Sequence, residues 1–62
     1  MAWVLFEGKL HRLPTQTRLG KKEFHAFQQK NKNREVLIFA PEGGYIIAPV
    51  LGLEYAGEDR EA

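Results

Sequence analysis

The chain has no cysteine and no serine, and its only aspartate is Asp59. Without cysteine there are no disulfides and no cysteine-ligated zinc. Without cysteine and serine, the two commonest side-chain nucleophiles are missing. Together with the near-absence of aspartate, this tells against catalysis, and the chain is expected not to be an enzyme. No apolar run approaches the ~20 residues that span a bilayer. The apolar start, Met1 to Phe6, lacks a basic leader and stops at Glu7, which is too short for a signal peptide. The expectation is a cytoplasmic protein with no membrane partner, no cofactor and no metal.

Sixty-two residues make one domain at most. A chain of about 60 residues buries only about 60% of the surface its unfolded form exposes. With disulfides excluded, stability must come from close side-chain fit or from association with another chain. The reading is a single β-rich domain over residues 1–56, followed by a flexible acidic tail over 57–62.

Several segments favour strand. Ala2 to Glu7 is almost continuously apolar, Gly8 bends it, and Lys9-Leu10-His11-Arg12-Leu13 alternates until Pro14. Residues 14–22 read as a polar loop. Glu35 to Ala40 and Tyr45 to Val50 are β-branched and aromatic runs joined by Pro41-Glu42-Gly43-Gly44. Proline presets a type I turn and glycine supplies positive φ, so these runs predict a hairpin over 35–50. Pro49 has no amide hydrogen and places its strand end at an edge or bulge. Leu51 to Tyr55 reads as a turn and a short last strand.

Residues 23–29 read two ways. As a strand, they pair with residues 34–40 across the polar loop 30–33, and this is the favoured reading. As a helix, Gly20 is the N-cap, Leu19 and Phe24 form a hydrophobic staple, and Phe24 and Phe27 share a face. Lys21 and Lys22 oppose the helix, because they sit at the positive end of its dipole.

The favoured order is strand, long loop, strand, short loop, strand, tight hairpin, strand, turn, short strand. It resembles the Src-homology-3-like barrel of five strands, with its long first loop, tight third hairpin and turn before the last strand. The fold class is therefore mostly β, a small five-stranded Src-homology-3-like or OB-like barrel. The alternative is β-α-β-β with a helix near residues 20–31. The ligand-binding aromatics of the signalling members have no counterpart here, so the resemblance carries no function.

Two further features bear on function. First, the strands are apolar on both faces, as strands covered on both sides are. Val36, Ile38 and Ala40 oppose Leu37 and Phe39; Tyr45 and Ile47 oppose Ile46, Ala48 and Val50; Trp3 and Leu5 oppose Val4 and Phe6. So short a chain covers one face well, which leaves the other for closure of a barrel or for a partner, including a second copy in a homodimer. The core set is Val4, Phe6, Val36, Ile38, Ile46 and Ala48, or the opposite register. Trp3 reads as core.

Second, charge is segregated. Residues 8–34 hold eight lysines and arginines against Glu23 alone, whereas residues 35–62 hold Arg60 against six acids. Cations mixed with amides and rings suit phosphate and base contact. The candidate nucleic-acid-binding residues are Arg12, Arg18, Lys21, Lys22, Phe24, His25, Lys30, Lys32 and Arg34. The leading functional expectation is a small nucleic-acid-binding accessory protein using its basic first half. The rival is a protein-interaction module, a small regulator or inhibitor whose basic rim meets an acidic protein surface. His11, Glu23 and His25 lack the ligand spacing of a metal site.

Overall fold

The computed structural model describes residues 2–14 and 19–58. The elements run β1 (Ala2–Phe6), β2 (Lys9–Leu13), α1 (Lys21–Lys30), β3 (Glu35–Phe39), β4 (Tyr45–Pro49), one turn of 3₁₀ helix (Val50–Gly52) and β5 (Glu54–Glu58). All five strands belong to one antiparallel sheet in the order β4-β3-β2-β1-β5. The fold is mostly β and five-stranded, as expected. Among the described residues no ladder joins β4 to β5, so the barrel closure that the resemblance implies is not seen.

The strands are not the five that the sequence suggested. Residues 2–13 form two strands, not one bent strand. Glu7 and Gly8 both take positive φ, 52° and 80°, and make a two-residue hairpin that pairs Phe6 with Lys9. Positive φ at both central residues matches the twist of the flanking strands. The long connection therefore follows β2, and the first connection is short.

Residues 21–30 are helix, which corrects the favoured strand reading. Helix wins for a packing reason. A strand would have sent Phe24 and Phe27 to opposite faces, whereas the helix turns both toward the core: Phe24 is 1% exposed and Phe27 packs against the same cluster. The pairing position beside β3 is also taken, by β4 along its length and by β2 at Arg12 and Phe39. The Phe24 amide closes the first turn on the Gly20 carbonyl at 2.8 Å, and Leu19 packs on the core beside it. At the other end, the backbone amide and side-chain Nδ2 of Asn31 both donate to the Phe27 carbonyl, at 3.0 and 2.9 Å.

The hairpin predicted over residues 35–50 is present, with Val36 opposite Ala48 and Ile38 opposite Ile46. Pro41 is the second residue of a turn closed by the Gly43 amide on the Ala40 carbonyl, 3.1 Å. Gly43 and Gly44 follow with φ of 107° and 79°, which a side chain would strain. The core takes the first of the two expected register sets. Ala2, Val4, Leu13, Phe24, Ile38, Ala48 and Leu53 are buried together, with Phe6, Val36 and Tyr55 packed on them. Ile46 stays exposed.

The first two residues of the segment read as a tail, Gly57 and Glu58, belong to β5; residues 59–62 lie outside the described residues. Opposite Trp3 and Val4 the β1–β5 register shifts by a bulge, with Gly57 at φ 118°. No described helix is long and apolar enough to cross a membrane.

Candidate functional site

The helix that hides Phe24 and Phe27 necessarily presents its other side to water. Lys21, Lys22, Glu23, His25, Gln29 and Lys30 are exposed along it, and Lys32 and Arg34 are exposed in the turn that follows. This gathers five cations and one acid onto a single helix and its exit. A depression of about 330 Å³ opens beside Lys21, Lys22 and His25.

Three polar residues of the basic first half are committed elsewhere. The Gln28 amide donates to the carbonyls of Val50 and Leu53, at 3.0 and 2.8 Å, and so ties α1 to the 3₁₀ turn. Asn31 caps the helix. His11 is 5% exposed, donates from Nδ1 to the Lys9 carbonyl at 2.9 Å and meets the Phe6 ring edge-on.

The remaining expected site residues separate. Phe24 is a core ring, 5.5 Å from Tyr55 and 6.3 Å from Phe27 by centroid, and offers no face to a base. Its assignment as a stacking ring is corrected by its burial. Arg12 lies on the other side of the sheet, its guanidinium 5.1 Å above the Trp3 ring. Arg18 lies outside the described residues. The rest, Lys21, Lys22, His25, Lys30, Lys32 and Arg34, are exposed on α1 and in the turn after it. Among the described residues no three His, Asp or Glu side chains are placed to hold a metal ion.

A second surface lies on the face opposite the core. Cross-strand registers align Tyr45, Phe39, Arg12, Trp3 and Gly57 in one row across all five strands. Leu37 and Ile47 form the neighbouring pair, and Leu5 and Leu10 another. Trp3 is therefore half-buried on this outer face and is not part of the core. Tyr45 is 65% exposed, Ile47 63% and Leu37 37%. The Tyr45 and Phe39 rings meet edge-on at 6.4 Å. The expectation of apolar residues on both strand faces is met: Leu10, Leu37, Tyr45 and Ile47 of the outer set are exposed, and Trp3, Leu5 and Phe39 are half-buried. Because α1 packs against the inner face, its cations and these outer rings lie on opposite sides of the sheet.

A smaller depression, about 240 Å³, is lined by Phe6, Glu7, Lys9, His11, Ala40, Glu42 and Ile46. It mixes apolar walls with both signs of charge and has no grouped chemistry. No family model, curated protein or solved structure matches the chain.

Proposed function

We propose that the protein is a non-enzymatic nucleic-acid-binding accessory protein that contacts phosphates through α1 and its exit turn. The observation that supports this is the exposure of Lys21, Lys22, Lys30, Lys32 and Arg34 on one continuous segment with only Glu23 opposing them. The cations sit on a helix anchored by Phe24, Phe27 and Gln28, so their spacing is held by the core. With Phe24 buried and Phe27 turned to the core, the contact is to the phosphate backbone. It is indifferent to sequence, because phosphate contacts position a protein but do not read bases.

The test is binding of mixed-sequence DNA and RNA at ~50 mM salt, where exposed electrostatics are least screened. Reversing Lys21, Lys22, Lys30 and Lys32 to glutamate should abolish binding and leave the circular dichroism spectrum intact, because exposed charges contribute little to stability. Absence of binding by the wild type favours the second reading, a protein-interaction module that docks on a larger protein. That reading draws on the exposed outer face around Leu37, Tyr45 and Ile47.

A further inference from the structure

The two edges of the sheet differ. β5 is bulged, carries Glu54 and Glu58, and is tied to the segment that leads into α1: the Tyr55 hydroxyl donates to the Leu19 carbonyl at 2.9 Å. These are features that protect an edge from pairing. β4 carries no charge and no bulge, and four of its five residues are exposed.

The hydrogen-bond parity of the β3–β4 hairpin shows what the open edge of β4 offers. The Val50 amide donates to the Arg34 carbonyl at 3.0 Å, and the Ala40 amide to the Gly44 carbonyl at 3.1 Å. In an antiparallel ladder, hydrogen-bonded pairs alternate with pairs whose amides and carbonyls point outward. With Val36 opposite Ala48 and Ile38 opposite Ile46 as the bonded pairs, Tyr45, Ile47 and Pro49 direct their backbone groups away from β3. Pro49 has no N–H, so the edge presents two donors, from Tyr45 and Ile47. The side chains of those same residues are the most exposed apolar ones on the outer face.

We propose that β4 pairs antiparallel with β4 of a second copy of this chain, joining two sheets into one of ten strands. A two-fold axis between the Ile46 residues sets Tyr45 of each copy opposite Ile47 of the other. Tyr45 then exchanges two hydrogen bonds with Ile47, and the symmetric pair exchanges two more. The next position outward sets Pro49, which has no donor, opposite Gly43, whose amide already donates to the Ala40 carbonyl. The ladder therefore ends at the same point on both sides. A longer foreign strand would meet the missing donor at Pro49 without that match, and an acidic partner would find no cation on this strand. Cross-strand pairs of Tyr45 with Ile47 bring the most exposed apolar side chains into contact, and the basic α1 segments stay on the other side of each sheet. So short an edge buries less than a standard interface of roughly 1,600 Å², and the association is weak.

The test is independent of the nucleic-acid reading and uses nuclease-treated protein. Sedimentation equilibrium from about 5 µM to about 1 mM should show reversible doubling of the chain mass. Ile47→Lys replaces an exposed side chain and should stay monomeric throughout with an unchanged circular dichroism spectrum. Reversal of Lys21, Lys22, Lys30 and Lys32 to glutamate should leave the dimer intact. In the wild type, exchange of the Tyr45 and Ile47 amides should slow at least ~10-fold from dilute to concentrated protein, while those of Ile46 and Ala48 are protected at both. A wild type that is monomeric to ~1 mM overturns the proposal. So does a dimer in which the Tyr45 and Ile47 amides gain no protection, or an Ile47→Lys variant that dimerises like the wild type.

Discussion

Replacing Phe24 by alanine tests whether α1 is part of the fold or an appendage to it. Phe24 is 1% exposed, with Phe27 and Tyr55 rings on either side. Truncating a buried phenylalanine to alanine costs about 3–5 kcal/mol, because transfer energy and cavity both count. A 62-residue domain has about 3–9 kcal/mol in total, at 0.05–0.15 kcal/mol per residue. Phe24→Ala should therefore leave a protein that is largely unfolded at 25 °C or close to it. Phe24→Leu keeps most of the volume but loses the ring contacts, and should cost about 1–2 kcal/mol. Lys22→Ala, two residues away on the exposed side, should stay within about 0.5 kcal/mol of wild type. Urea titrations followed by circular dichroism give all three values. A Phe24→Ala protein that loses less than about 1 kcal/mol would refute the reasoning. So would one that loses nucleic-acid binding with no change in stability, since that would make Phe24 a surface ring.

Two other substitutions probe the joints of the fold. Gln28→Ala removes the donor shared by the Val50 and Leu53 carbonyls and should cost about 1–3 kcal/mol by urea denaturation; no measurable loss would mean that this anchor is not made in solution. Glu7→Asn should stabilise the protein by roughly 0.5–1 kcal/mol, because asparagine accepts the positive φ of the β1–β2 turn more readily than glutamate. A melting temperature that falls would argue against that turn.

These joints also mark where the sequence was legible. The 35–50 hairpin stood out because Pro41, Gly43 and Gly44 punctuate two β-branched runs, and both its turn and its register follow from that pattern. The β1–β2 turn was missed because Glu7-Gly8 lacks the asparagine or aspartate that usually announces such a turn. Over so few residues the strand reading was only slightly favoured over helix. Both Phe24 and Phe27 fit a helical face, but Lys21 and Lys22 oppose the dipole; the shared core beneath both rings and the occupied flanks of β3 decide the matter. Alternation could show that two strand faces were apolar, but not that Trp3 and Arg12 sit on the outer one, because that depends on which residues β2 and β3 pair. The cations were visible as a run of charge. That they stay exposed while Phe24, in their midst, is buried follows only once residues 21–30 are helical.

The salt dependence of nucleic-acid binding tests the functional reading most directly. Four phosphate contacts from the five exposed cations of α1 and its exit turn give a slope of log K against log salt of about −3.6 for duplex and about −2.8 for single strands. On duplex DNA, affinity should then fall about 10²-fold between 50 and 200 mM salt. Charge reversal at Lys21, Lys22, Lys30 and Lys32 should remove the binding altogether. A wild type with no measurable affinity at ~50 mM salt, or binding whose slope is near zero and survives the reversal, would contradict the account.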